Sequence, residues 1–214
     1  MDEEIEIINT ATRKEKIKNF IINNKKSIIT VIIILLLILF SFFFYKDYQK
    51  RNSEGLADKY NIAIIQYESG DKSKILDIMK NLIEQKDKTY SPLAFYYLLD
   101  NDLITSKEEI NKYFDILINE TKIDNENKNL ITFKKGLFNA EFANENELLS
   151  ILNPVIKSES IWKPHALYLM AEYYFAKNEK QKSKEFLEQL VSLENISENI
   201  RIEAQKRLRS DFSE

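Results

Sequence analysis

The sequence predicts an all-helical membrane protein, with one transmembrane helix near the amino terminus followed by an array of antiparallel helical hairpins. Residues 27–45 contain no charged side chain, although Asp, Glu, Lys and Arg make up 30% of the chain. Glycine and proline are scarce, with three of each. Elsewhere the apolar residues recur at intervals of three and four, which is the period of a helix and not of a strand.

The apolar run is long enough to cross a bilayer. Its nineteen residues would form a helix of about 28 Å, close to the hydrocarbon thickness of a membrane. All residues in 28–44 except Thr30 and Ser41 are Ile, Leu, Val or Phe, and each favours insertion by roughly 0.3–0.6 kcal/mol. A buried core helix is the alternative, but the rest of the chain has no comparable run to surround it. Residues 27–45 are therefore predicted to span a membrane.

The flanks of this run predict an uncleaved anchor and its orientation. No small-x-small cleavage motif follows the run, whose next residues are KDYQKRNSE. Six Lys or Arg residues lie in the fifteen positions before the run and four in the fifteen after it. Because basic residues favour the cytoplasmic side, residues 1–26 are predicted to be cytoplasmic and residues 46–214 to form the translocated domain.

The composition argues against most chemical functions. Cysteine is absent, which excludes disulfides, thiolate chemistry and a lipid-modified amino-terminal cysteine. A net charge of −3 without a basic, aromatic-bearing stripe gives no sign of nucleic-acid binding. His165 is the only histidine, and neither a glycine-flanked nucleophilic serine nor a phosphate-binding loop occurs. No catalytic, cofactor or metal site, and no small-molecule substrate, is predicted.

The apolar pattern after residue 45 predicts consecutive amphipathic helices. The stripe from Leu56 to Tyr67 could continue the membrane helix without a break and end at Gly70. Further helices are predicted to begin near residues 73, 91, 106, 125, 144, 164, 181 and 197. Ser106 has capping-box spacing to Glu109, and Pro154 is expected to kink or end its helix. Short turns between such helices favour a solenoid or a bundle built from hairpins.

The last hairpin has the pattern of a tetratricopeptide unit, a helix-turn-helix repeat of about 34 residues. Ala171 takes the small position of its first helix and Tyr174 the aromatic position. Asn178 stands at the turn glycine, and Ser183 and Leu187 take the small and large positions of the second helix.

A second, degenerate unit can be placed around Gly70. Ala63 is its small residue, but Ile75 stands where the second helix should have a small one. The middle helix pairs match by period only. Helical hairpins that are not true repeats therefore remain the alternative.

The arrangement resembles a family of bacterial inner-membrane proteins, the ancillary SecYEG translocon subunits (YfgM-like). Residues 16–29, KIKNFIINNKKSII, resemble the basic, aromatic-bearing entry of that family, and residues 45–49, YKDYQ, resemble its exit from the membrane. Residues 162–167, WKPHAL, are similar to the start of the family's last repeat. The resemblance implies a single-pass inner-membrane protein with a periplasmic tetratricopeptide-like domain. It also implies SecYEG, periplasmic chaperones or emerging chains as partners.

One helix face is a candidate partner-binding site. Tyr168, Glu172 and Phe175 are expected to lie exposed on the concave side, away from the core stripe of the same helix. An exposed aromatic and acidic face suits an extended or helical protein segment.

The expected function is a protein-interaction scaffold accessory to the Sec translocon. A scaffold for envelope assembly or cell division is the alternative, and an enzyme of unrecognised type is a third reading. The amino-terminal segment, with Ile5, Ile8, Ile17, Phe20 and Ile21 among its charges, could lie on the membrane, dock to the channel's cytoplasmic side or be a disordered tail.

Overall fold

The computed structural model describes residues 13, 15–16, 18–69, 75–194 and 196–212. Regular structure in this part of the chain is helical, with no strand, which confirms the predicted all-α class. The chain divides into two compact units, Met1–Gly55 and Leu56–Glu214. The expectations for the turn at Gly70 and for Ile5, Ile8 and Ile17 concern positions outside the described residues.

Helix α1, Lys25–Glu68, contains the whole apolar run. An 18-residue window within it has a mean hydropathy of 3.1, and 0% of that window is buried. The Thr30 hydroxyl donates a hydrogen bond of 3.0 Å to the carbonyl of Lys26, so this polar group needs no partner from the surroundings. The chain thus has a helix that is long and apolar enough to cross a membrane. Because α1 also includes the stripe from Leu56 to Tyr67, the predicted continuity of the helix is confirmed.

Eight further α-helices follow in the described residues. They are α2 Ile75–Glu84, α3 Tyr90–Asp100, α4 Lys107–Asp115, α5 Asn125–Asn139, α6 Glu145–Ile156, α7 Lys163–Ala176, α8 Lys180–Val191 and α9 Glu198–Phe212. A π-helical turn, Ile116–Glu120, extends α4. Close pairs are α2 with α3, α5 with α6, α7 with α8, and α8 with α9. Pro154 lies in the last turn of α6, which ends two residues later at Ile156.

Side-chain caps explain where two of these helices begin. The Ser106 hydroxyl accepts from the backbone N–H of Glu109, as the sequence predicts, but the Glu109 carboxylate pairs with Lys80 instead of closing the box. The complete capping box is at α6, where Asn144 and Glu147 each accept from the other's backbone N–H. Each cap satisfies backbone donors that would otherwise lack a helical partner.

Left-handed residues end three of the helices. Lys86, Asp102 and Asn178 have φ values of 55°, 53° and 62°, each two residues beyond the end of α2, α3 or α7. Asparagine adopts this region more readily than most residues. The prediction that Asn178 takes the place of a turn glycine is therefore confirmed.

Three apolar clusters hold the helices of residues 56–212 together. The first surrounds Phe95, which is fully buried with its ring centroid 4.8 Å from that of Phe114. The second joins α6 to α7, and the third joins α7 to α8 and α9. Ala171, Ser183 and Leu187, the predicted contact positions of the last hairpin, are all buried.

Two helical glycines give a matched test of this packing. A Cβ on Gly136 of α5 would clash with the buried Leu152 of α6, at 2.8 Å from its Cγ, whereas a Cβ on Gly55 would meet nothing within 4 Å. Overpacking costs about 1–3 kcal/mol, against a helix-propensity gain of about 1 kcal/mol. We expect Gly136→Ala to lower the free energy of unfolding by about 1 kcal/mol, and Gly55→Ala to leave it equal or higher.

Denaturation followed by Trp162 fluorescence measures both variants, since Trp162 is the only tryptophan and stacks on Phe133 at 6.0 Å between ring centroids. Stabilisation by Gly136→Ala would contradict the close approach of α5 and α6.

Candidate functional site

Helix α7 presents one face to the core and another beside α9. The predicted core stripe of Leu167, Met170, Ala171 and Tyr174 is buried. Tyr168, Glu172 and Phe175 lie on the other face, as the helical period requires, but they are half-buried. The expectation of an exposed face is therefore corrected, because α9 packs beside it.

Arg207 of α9 makes the closest polar contact with this face. Its guanidinium donates hydrogen bonds of 2.7–3.0 Å to both oxygens of the Glu172 carboxylate. It also lies 4.6 Å from the centroid of the Phe175 ring and pairs with Asp211. The Phe212 ring meets the Phe175 ring edge-on at 6.0 Å. Two of the three predicted site residues thus hold the last helix in place.

An apolar groove lies next to these contacts, between α5, α7 and α9, with a volume of about 450 Å³. We call it the α5–α7–α9 groove. Its apolar lining consists of Phe133, Leu137, Tyr168, Leu169 and Ile200, joined by the ring of His165. Leu137 is 54% exposed. The groove therefore offers apolar surface to solvent on a face that the described helices of residues 75–212 leave open.

Acidic groups border the groove. Glu172 lines it from α7 and Glu203 from α9, and no Lys or Arg is among the lining residues. Glu172 forms an ion pair with Arg207. Glu203 is exposed and forms no ion pair with any residue that the structure describes. Burial, helped by the Glu172 and Glu203 carboxylates, raises the pKa of Tyr168 above its ordinary value. The phenol of Tyr168 therefore keeps its proton, and a hydrogen bond from Arg207 offsets part of the rise in pKa.

The sequence-predicted residues fall only partly in this groove. Tyr168 and Glu172 line it, whereas Phe175 lies beyond its lining, against Phe212. Leu137 belongs to the apolar stripe of α5, but its side chain lines the groove and is mostly exposed. Ile200 and Glu203 were missed, although their spacing of three residues in the terminal helix already places them on one face.

His165 contributes an aromatic surface. Its ring centroid lies 5.2 Å from that of Trp162 and 5.8 Å from that of Phe133. Among the residues that the structure describes, no group of three or more His, Asp or Glu side chains could hold a metal ion. His165 therefore adds aromatic area to the lining of the groove.

The attachment of α9 through Arg207 can be tested by hydrogen exchange. We expect Arg207→Ala to weaken this helix by roughly 1–2 kcal/mol, because a bidentate, charge-assisted pair and the packing on Phe175 are lost together. Amides in residues 198–212 of the full chain should then exchange faster. Arg209→Ala is the matched control on the same helix, since Arg209 is exposed and, within the described residues, its side chain hydrogen-bonds the Gln205 carbonyl and forms no ion pair. Equal exchange rates of these amides in Arg207→Ala and Arg209→Ala would show that the contact of Arg207 with Glu172 and Phe175 does not hold α9.

Comparison with known families matches only the amino-terminal part of the chain. Residues 18–110 match a family model described as a tetratricopeptide repeat-like domain. This range covers all of α1, α2 and α3 and the start of α4, and it includes the degenerate unit around Gly70. No curated protein and no solved structure matches the chain. The α5–α7–α9 groove lies outside the matched range.

Proposed function

We propose that this chain is a membrane-anchored scaffold that binds a protein partner in the α5–α7–α9 groove. Tetratricopeptide-like domains generally mediate protein–protein interactions, and stacked helical hairpins form extended binding surfaces. The observation that carries the proposal is the groove itself, in which apolar side chains stay open to solvent beside Tyr168. An aromatic residue in an apolar cleft is a common anchor for a partner.

We further propose that α1 fixes this domain to the inner membrane of a bacterium. The Lys and Arg bias around residues 27–45 supports a cytoplasmic amino terminus and a periplasmic domain. Tethering would restrict the domain to the membrane surface and so raise the effective concentration of two partners held together. This mode of action requires no chemical reaction.

The Sec translocon is the proposed site of action, with periplasmic chaperones or emerging chains as further partners. The resemblance of residues 16–29, 45–49 and 162–167 to translocon accessory subunits supports this choice. A scaffold for envelope assembly or division would use the same topology without the translocon. Crosslinking in native membranes distinguishes these two functions. The translocon channel should be recovered only if the protein is a translocon accessory.

Quantitative capture tests the role of the groove. The tagged full-length chain and its Leu137→Asp variant are purified from mildly solubilised membranes, and the recovered proteins are compared. Because Leu137 is exposed, the variant should keep the fold and its Trp162 emission. We expect at least tenfold loss of the bound partner, since a carboxylate in an apolar contact costs more than about 1.4 kcal/mol. Unchanged recovery of every protein would refute binding in the groove.

Topology is tested separately with reporters fused after the last residue. The proposal predicts activity of a periplasmic reporter and silence of a cytoplasmic one. The opposite result would overturn the orientation.

A further inference from the structure

The charged residues that line the α5–α7–α9 groove are acidic, and the Arg207 guanidinium also lies within hydrogen-bonding reach of Tyr168. Glu203 and Glu172 border the groove from two different helices, and no Lys or Arg lines it. Arg207 neutralises Glu172, which leaves Glu203 as the carboxylate still able to accept a cation. A cation bound there would also lie near Tyr168, whose pKa both carboxylates raise and Arg207 lowers.

The apolar part of the groove is arranged along helices. Phe133 and Leu137 are one turn apart on α5, His165 and Leu169 are one turn apart on α7, and Ile200 lies one turn from Glu203 on α9. Side chains of a docking helix recur with the same spacing. An extended peptide that adds a strand to a sheet needs a free sheet edge, and the described residues contain no strand.

We propose, building on the function proposed above, that the groove binds a cationic amphipathic helix of a partner protein. Apolar side chains of that helix contact Leu137, Leu169 and Ile200. A lysine or arginine about one turn away pairs with Glu203. Apolar burial provides most of the affinity, and the ion pair selects cationic over anionic segments.

Direct binding of probe peptides tests this inference. The full chain is reconstituted in phosphatidylcholine nanodiscs, with empty nanodiscs as the baseline. One fluorescent probe is a helical peptide of roughly 16 residues with leucine on one face and lysine on the flanks, a length at which helices begin to form in water. The second probe has glutamate in place of every lysine. Fluorescence anisotropy gives both dissociation constants.

Charge reversal at Glu203 is the decisive variant. Glu203→Lys should weaken binding of the lysine probe about three- to tenfold and strengthen binding of the glutamate probe, because an exposed pair is replaced by repulsion. Glu185→Lys on α8 makes the same change in net charge at an exposed position outside the groove and should alter neither constant. Wild-type binding of the lysine probe should also weaken with added salt.

Three results would overturn the inference: no binding of the lysine probe to the wild-type chain, equal binding of the two probes, or equal effects of Glu203→Lys and Glu185→Lys. The proposed function has its own test. If Leu137→Asp abolishes partner capture while Glu203→Lys leaves probe binding unchanged, the groove binds a partner but not by this charge selection. If Leu137→Asp changes nothing either, both proposals fail.

Discussion

Replacing Leu36 and Leu37 with lysine is expected to remove the protein from the membrane. Both residues lie near the middle of the apolar run, where Leu36 is 48% and Leu37 61% exposed. A lysine at the centre of a membrane helix costs about 2.5–3.5 kcal/mol, and each lost leucine about 0.5 kcal/mol more. Two such changes cost roughly 6–8 kcal/mol, which is comparable with the whole insertion energy of the run.

The measurement is extraction of isolated membranes with alkaline carbonate, which releases proteins that do not span the bilayer. Ile62→Lys with Ile65→Lys is the matched control, because these side chains are exposed on the same helix but lie outside residues 27–45. The control should stay in the pellet. If the Leu36 and Leu37 variant also resists extraction, α1 is not held by the membrane through this run.

Phe95→Ala is expected to have the largest effect on the stability of the helical domain. The side chain is 0% exposed, and its ring centroid lies 4.8 Å from that of Phe114 and 5.3 Å from that of Tyr96. Truncating a buried phenylalanine costs about 3–5 kcal/mol, because apolar contacts are lost and a cavity remains. Domains of this size are stable by only about 5–15 kcal/mol, so the variant should be close to unfolding.

Urea unfolding of the full chain in detergent, followed by circular dichroism and Trp162 fluorescence, measures this loss. Leu93→Ala on the same helix is the control, since Leu93 is 43% exposed. Its free energy of unfolding should change by less than about 1 kcal/mol. Similar losses for the two variants would mean that Phe95 is not the centre of a packed core.

The helices themselves are predictable from local sequence. Helical periodicity places the buried face of α7 correctly, and Ser106 caps α4 where the sequence puts it. Asn178 adopts the left-handed backbone that its position in a tetratricopeptide-like turn requires. Each of these features depends on residues within one or two helical turns, so the local sequence is sufficient to predict it.

The candidate site depends on contacts that are distant in sequence. Glu172 and Arg207 are 35 residues apart, and helical periodicity alone does not say that α9 packs beside the Tyr168 face. The same limit applies to Leu137, which belongs to an apolar stripe but is covered by none of the described helices. The approach of Gly136 to Leu152 is a further long-range contact, since it depends on how α5 crosses α6.

Photocrosslinking from the groove tests the central claim most directly. A crosslinking amino acid is placed at Asn199, an exposed residue that lines the groove, or at Gln189, an exposed residue of α8 outside it, in the full chain in native membranes. The account predicts a discrete adduct from position 199 that is absent from position 189 and is lost in the Leu137→Asp background. The same products from both positions, or an adduct that survives Leu137→Asp, would contradict it.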